Sequence, residues 1–380
     1  MGAAFLAAME AWPRSGVPDR PEAWLLTAAR HHAVERWRRE QHRADQEQAV
    51  IEAIETLLEQ ANAAPKDIPD ERLRLLFTCA HPAIDAKVRA ALLLQLVLGV
   101  DVPRMASAFL TSPATLAQRL VRAKAKIRDA GIPFDVPEPS EGPDRLHDVL
   151  EAVSGAYTTA FTGDESEAAA STNLRDEALY LSGMLVALLP DEPEVLGLRA
   201  LLLHTEARRA ARFNSAGRFV PLSDQEPAHW DADAIGEAEA LLMRCASFAS
   251  PGAYQTEAAI HSAHAIRRFG GPTPWPQIAL LYRFLLSRWP SHGARVGAAV
   301  AFVECAQLEA ADAALKAVPE PLASAYPAWW AARAHLLAAK HDGEGSWQAL
   351  LRAAGQATDA ALREHLLEKA GRLMPGASDA

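Results

Sequence analysis

The stretch DVPRMASAFLTSPATLAQRLVRAKAKIR, residues 101–128, decides the interpretation of this chain, because its pattern predicts a short helix, a tight turn and a second helix. The hydroxyl pair Thr111-Ser112 stands directly before Pro113, the usual order of an N-cap followed by proline at the first helical position. From Pro113 onward, apolar residues recur at helical spacing and form one narrow stripe: Leu116, Leu120, Ala123 and Ile127. This stripe predicts a face that packs against the rest of the fold.

The second helix also has a polar face that is separate from the apolar stripe. Its members are hydroxyl, amide and cationic side chains: Thr115, Gln118, Arg119, Arg122 and Lys126. Such groups suit the base edges and phosphates of a DNA major groove. A solvated basic surface helix is the alternative, and an isolated cationic helix would favour it. The compact helix before the turn, with Met105, Ala106 and Phe109 on its inner side, favours a helix-turn-helix.

The formal net charge of −10 is unevenly distributed along the 380 residues. Residues 1–136 hold 18 Lys+Arg against 17 Asp+Glu, whereas the rest of the chain holds 20 against 31. A uniformly acidic protein would be a poor candidate for DNA binding. A near-neutral front part with basic clusters, followed by an acidic back part, is compatible with it.

Features that would place the protein in or across a membrane are missing from the sequence. No uninterrupted apolar run of about 18 residues is present, and the first residues lack the basic segment of a secretory signal. We therefore expect a cytoplasmic protein without membrane contact. The three cysteines, Cys79, Cys245 and Cys305, are far apart, which favours free thiols over disulfides or a zinc site.

An all-α fold is predicted, because Ala, Leu, Arg and Glu dominate and no alternating β-branched run is long enough for a sheet. Pro and Gly positions divide the chain into helical residues 1–45, a polar connection 46–68, a compact unit 69–136, a Pro-rich linker 137–143 and a helical array 144–380.

The helical array shows a loose repeat. Pro190 and Pro290 are separated by 100 residues, about three tetratricopeptide-like units. After Pro290, one Ala-rich helix is expected over SHGARVGAAVAFVECAQLEAADAALKAVP, residues 291–319. The polar stretch 213–230 interrupts the array as a long loop, and such loops are typically disordered or functional insertions.

No catalytic or cofactor-binding motif is present, because the chain lacks a Gly-rich phosphate loop, a G-x-S-x-G elbow and an H-E-x-x-H pair. His261 and His264 share one helix, and His31 adjoins His32. No acidic or cysteine partner stands at ligand spacing, so ordinary surface or core histidines are favoured over metal ligands. We therefore expect neither an enzyme nor a metal or cofactor site.

A second candidate nucleic-acid segment is ARHHAVERWRR, residues 29–39, where arginines crowd the end of an amphipathic helix beside Trp37. Basic residues in a last helical turn also complement the helix dipole without any ligand. Arginines interleaved with an aromatic residue, however, suit single-stranded DNA, whose bases stack and whose phosphates attract guanidinium groups. The helix-turn-helix downstream favours the DNA interpretation.

At this level of detail the chain resembles a known family. PEAWLLTAARHHAVERWRRE is similar to the −10 helix of region 2 in extracytoplasmic-function RNA polymerase sigma factors of the sigma-70 superfamily. IPDERLRLLFTCAHPAI and ATLAQRLVRAKAKIRDAGIPF resemble region 4 of the subgroup that carries a C-terminal tetratricopeptide-like extension. The likeness continues through PDEPEVLGLRALLLHTEARRAAR and PGAYQTEAAIHSAHA, and it covers most of residues 10–340.

The resemblance implies a partial region 2 in residues 1–45, region 4 in residues 69–136 and a regulatory extension in residues 144–380. In this family, region 4 binds the −35 promoter element, while region 2 binds core RNA polymerase and melts the −10 element. The implied −35 contacts are Thr115, Gln118, Arg119, Arg122 and Lys126. The implied −10 contacts are Arg30, His31, Arg36 and Arg38, with a flipped −10 base at the loop 14–20.

The chain departs from the family pattern at two places. The family has a further helix, and most of a second, before the residues that align with 2–12, so we expect the natural product to start earlier. The segment VSGAYTTAFTGDE also lacks the Asn-Glu-Gly-Tyr string that is usual near the start of the extension.

The leading hypothesis is a sigma factor that directs core RNA polymerase to specific promoters and is regulated in cis by its C-terminal domain. We expect the acidic array to contact the basic helices 29–39 or 113–128 of the same chain. The alternative is a helix-turn-helix transcription regulator with a tetratricopeptide-like sensor domain, which binds promoter DNA without acting as a sigma factor. A third class is a protein-interaction scaffold whose basic helix is only a solvated face.

Overall fold

The computed structural model describes residue 68 and residues 70–130, 142–161 and 168–373, which fold as α-helices with irregular connections. The all-α class predicted from the sequence is therefore confirmed. These residues all belong to one compact unit. No helix within the described ranges is long and apolar enough to cross a membrane.

The first part of the described chain, residues 71–130, is called the helix-turn-helix module below. Its helices are α1 (Glu71–Cys79), α2 (Ala86–Val97), α3 (Val102–Ala108) and α4 (Pro113–Ala130). Carboxylate N-caps start α1, α2 and α3, because Asp70, Asp85 and Asp101 each accept a hydrogen bond from a backbone N–H of the first turn. The turn before α4 places Leu110 in the left-handed region, with φ 45°.

The second part, residues 142–373, is called the array below. Its helices are α5 (Gly142–Phe161), α6 (Ala168–Leu188), α7 (Pro193–Ala207), α8 (Ala232–Ser247), α9 (Ala253–Ala265), α10 (Trp275–Arg288), α11 (His292–Glu304), α12 (Leu308–Lys316), α13 (Glu320–Ala323), α14 (Pro327–Ala339), α15 (Gly343–Gln356) and α16 (Ala360–Gly371). Most consecutive helices pack against each other, as stacked helical repeats do.

One helix boundary in the array differs from the sequence-based expectation. The single helix expected over residues 291–319 is two helices, α11 and α12. The break arises because Ala306 adopts φ 55° and the N–H of Gln307 returns to the carbonyl of Phe302 at 2.8 Å. Alanine has no preference for this left-handed conformation, so composition could not indicate the turn.

The module and the array share an interface, although the sequence divided them at the linker 137–143. Helix α5 packs against α1, α2 and α3. Arg145 donates from Nη1 to the carbonyls of Phe77 (3.2 Å) and Thr78 (3.3 Å), near the C-terminal end of α1. Arg89 of α2 forms an ion pair with Asp148 of α5, and both side chains are nearly buried.

The long stretch 213–230 is ordered. Trp230 is buried and donates from Nε1 to Oε1 of Gln225 at 3.2 Å. The Arg267 guanidinium donates to the carbonyls of Leu222 (2.6 Å), Ser223 (3.1 Å) and Gln225 (2.9 Å). One arginine thereby satisfies several backbone acceptors that a loop would otherwise expose to water.

Candidate nucleic-acid interface

Helix α4 begins and packs as its sequence predicts. It starts at Pro113, and the hydroxyl of Ser112 accepts from the N–H of Thr115 at 3.2 Å, which confirms the N-cap. Leu116, Leu120 and Ala123 are buried, while Ile127 is half-buried. Since α4 packs against α2 and α3, the predicted packing stripe is confirmed.

The polar face of α4 is exposed to solvent along its length. Its exposed members are Thr115, Gln118, Arg119, Arg122 and Lys126. Thr115 accepts a hydrogen bond from the Ser112 hydroxyl at 2.8 Å, which leaves the proton of its own hydroxyl free to donate. The fold therefore brings the five candidate residues onto one surface.

Arg119 and Arg122 keep their charge available on this surface. Within the part of the chain that the structure describes, no carboxylate forms an ion pair with either guanidinium. The Nε of Arg122 donates weakly to the carbonyl of Gln118, one turn earlier, at 3.4 Å. The remaining N–H groups of both side chains can donate to an external acceptor such as a phosphate or a guanine edge.

Lys126 has a structural contact that the sequence did not indicate. Its Nζ donates to the carbonyl of Ala83, in the connection between α1 and α2, at 2.8 Å. The ammonium group retains two further N–H donors. Lys126 therefore ties α4 to the module while it remains exposed.

One exposed residue of this surface was missed by the analysis of the sequence. Val121 lies between Leu120 and Arg122 and is 54% exposed. An apolar group at a major-groove surface can contact a thymine methyl. The available signal was the position of Val121 outside the buried stripe, because an apolar residue there gains nothing from packing.

The structure bears differently on the predicted −10 contacts and on the predicted contact between the array and the basic helices. Arg30, His31, Arg36 and Arg38, together with the loop 14–20, lie outside the described residues. Among the residues that the structure does describe, the array contacts the module through α1, α2 and α3, while the polar face of residues 113–128 stays exposed.

The histidine pair of the array sits in a polar cluster. His261 accepts a hydrogen bond from Arg208, and the imidazole of His264 stacks edge-on against Trp275. Burial, followed by the positive charges of Arg208 and Arg267, lowers the pKa of His264 to about 4. No group of three or more His, Cys, Asp and Glu in the described ranges is arranged to hold a metal ion.

The geometry defines an all-α protein in which a helix-turn-helix module and a helical array share one interface. Residues 145–246, from α5 to the end of α8, match a family of unknown function, DUF6596. An uncharacterised protein of Rhizobium meliloti (strain 1021) is 36% identical over 328 residues, which cover 84% of this chain and 75% of that protein. The chain belongs to the family of this protein. No solved structure is significantly similar to the present chain.

Proposed function

We propose that the chain is a sigma factor that directs core RNA polymerase to specific promoters and that α4 binds the −35 element. The observation that carries this proposal is the division of α4 into a buried apolar stripe and an exposed polar face. A helix anchored in this way presents donors outward, and the second helix of a helix-turn-helix does so in the major groove.

Two observations on the surface of α4 support the proposal. Arg119 and Arg122 have no carboxylate partner among the described residues, so DNA binding would not first require an ion pair to break. The array is attached through α1, α2 and α3, so the proposed DNA-binding face stays accessible while the array is in place.

The resemblance of residues 1–45 to region 2 supplies the second half of the proposal. In that role Arg30, His31, Arg36 and Arg38 bind the −10 strand. Promoter melting is then driven by binding of the displaced strand to arginines and aromatic side chains, with no need for ATP hydrolysis. The protein acts in the cytoplasm, where its array regulates initiation in cis.

The test is in vitro transcription by purified core RNA polymerase and the full chain on a promoter library. Arg119→Ala or Arg122→Ala should weaken binding to the selected promoters by about 1–3 kcal/mol where the side chain reaches a base edge. Arg288→Ala is the matched control, because Arg288 is an exposed arginine of α10 and its loss changes the net charge equally. We expect this control to bind promoters as the wild type does.

The outcomes separate the three classes of function. Transcription that depends on the chain and on Arg119 supports the sigma factor. A specific duplex footprint without stimulation of core polymerase supports the helix-turn-helix regulator. The absence of any specific footprint would reject both and leave a scaffold with a solvated basic helix.

A further inference from the structure

A cavity of about 180 Å³ lies between α9, α10 and the start of α11 in the array. One water needs about 10–15 Å³ by this kind of measure, so the cavity has room for a small organic molecule. Its polar wall consists of Glu257, His261, Tyr282 and Ser291, and the rest of the wall is apolar or small.

The protonation state of His261 follows from its contact with Arg208, which lies at the C-terminal end of α7. Nη2 of Arg208 is 2.6 Å from Nδ1 of His261. A guanidinium can only donate, so Nδ1 must accept and the imidazole must be neutral with its proton on Nε2. Burial, and then the charge of Arg208, lowers the pKa of His261 well below its usual range. His261 therefore brings one N–H donor to the cavity wall.

Two groups of opposite charge lack a counter-ion at or beside this cavity. Nη1 of Arg208 is buried without a hydrogen-bond partner, and no carboxylate among the described residues pairs with this guanidinium. Within the described ranges, the carboxylate of Glu257, on the cavity wall, forms no ion pair and accepts no hydrogen bond. Burial raises the pKa of the Tyr282 hydroxyl, the charge of Glu257 raises it further, and the charge of Arg208 lowers it. Glu257 lines the cavity, so a ligand there can pair with its carboxylate directly, whereas the charge of Arg208 reaches the cavity through its contact with His261 and favours an acceptor at the imidazole Nε2.

We propose that this cavity binds a small zwitterion that carries a primary ammonium group and a carboxylate, as a free amino acid does. The ammonium group binds the carboxylate of Glu257. The ligand's carboxylate lies on the side of Arg208 and accepts from the Nε2–H of His261 and from the hydroxyl of Ser291. The Ser291 oxygen accepts from the N–H of Ala294 at 3.0 Å, so its own proton is free to donate.

The charges of the cavity favour a zwitterion over either simple ion. A purely anionic ligand would be repelled by the carboxylate of Glu257, and a purely cationic ligand would be repelled by the charge of Arg208 and would offer no acceptor to the Nε2–H of His261. Each would leave one of the two charges without a partner in a partly desolvated site. A zwitterion supplies one complementary charge to each.

The test is titration calorimetry on the full chain at about pH 8, where the carboxyl of Glu257, whose pKa burial and Glu194 raise to about 7, is mostly ionised. The probes are the free L-amino acids, each tested singly to about 10 mM, a range that detects millimolar affinity. For each amino acid that binds, two truncated analogues are then titrated, one without the amine and one without the carboxylate. For L-alanine these analogues are propionate and ethylamine. We expect at least one amino acid to bind and its two truncated analogues to bind at least tenfold more weakly.

Two variants locate the site. Glu257→Gln keeps the shape of the side chain and should lower the affinity for the amino acid by about tenfold, the usual effect of losing a charged hydrogen bond. Glu309→Gln is the control, because Glu309 is an exposed carboxylate on α12, and it should bind as the wild type does. The proposal is overturned if no amino acid binds, if an analogue with one charge binds as tightly, or if Glu257→Gln retains full affinity.

Discussion

Asp148→Ala removes one partner of the ion pair that joins α5 to α2. The side chain of Asp148 is 4% exposed and that of Arg89 is 11% exposed, so the pair is almost fully desolvated. Removing one member of a buried pair costs about 3–5 kcal/mol, because the remaining charge stays buried without a counter-ion. Arg89 retains hydrogen bonds from Nε (3.2 Å) and Nη2 (2.8 Å) to the carbonyl of Ile84, so we expect about 3 kcal/mol.

The assay is urea unfolding followed by far-UV circular dichroism. Lys316→Ala is the control, because it breaks an ion pair with Asp312 within α12. The side chain of Lys316 is 73% exposed, so this pair is solvated. Exposed pairs at this helical spacing contribute about 0.5 kcal/mol or less. The double variant Arg89→Met/Asp148→Leu removes both charges and should recover most of the loss of the single variant. A loss below about 1 kcal/mol for Asp148→Ala, or a double variant no more stable than the single one, would refute the reasoning.

Two further predictions concern the array. Gly197→Ala should destabilise the protein by about 1–3 kcal/mol, because the added Cβ would lie 2.5 Å from the backbone N of Gln255. Gly236→Ala is the matched control, because its Cβ would meet nothing within 4 Å, and it should stabilise α8 by about 1 kcal/mol. Urea unfolding measures both changes. As pH falls from 7 to 5, the lowered pKa values of His264 and His261 both remove stability, about 2 kcal/mol for His264, whereas the raised pKa of Glu257 adds about 2 kcal/mol. Glu257→Gln should therefore lose about 2 kcal/mol more stability than the wild type over this range, and an acid profile equal to that of the wild type would contradict this assignment.

The candidate interface could be predicted because α4 is an amphipathic helix whose signals are local. The N-cap at Ser112 and the buried residues Leu116 and Leu120 follow from spacing along one helix. The order of the stretch 213–230 could not be predicted, because it depends on Arg267, which is distant in sequence and donates to carbonyls of that loop. Polar side chains that are buried by a distant partner look like surface residues in a sequence.

The same limit explains the interface between the module and the array. Arg145 and Asp148 stand just after a Pro-rich stretch and look like ordinary charged residues of the first two helical turns. In the fold both are buried, since Arg145 binds carbonyls at the end of α1 and Asp148 pairs with Arg89. Gly155 lies so close to the module that an added Cβ would be 3.2 Å from Cδ1 of Leu94. The sequence pattern gives the apolar face of α5 but not the partner that covers it.

This interface changes how regulation by the array must be tested. If an acidic array covered the basic face of α4, removing residues 141–380 would expose that face, and the effect would weaken at high salt. The observed contacts are buried hydrogen bonds, a desolvated ion pair and apolar packing on α1, α2 and α3, which salt screens little. Removing the array would strip these partners from the module and destabilise it at any ionic strength. Point substitutions within the array, with the interface intact, are therefore the means to separate regulation from folding.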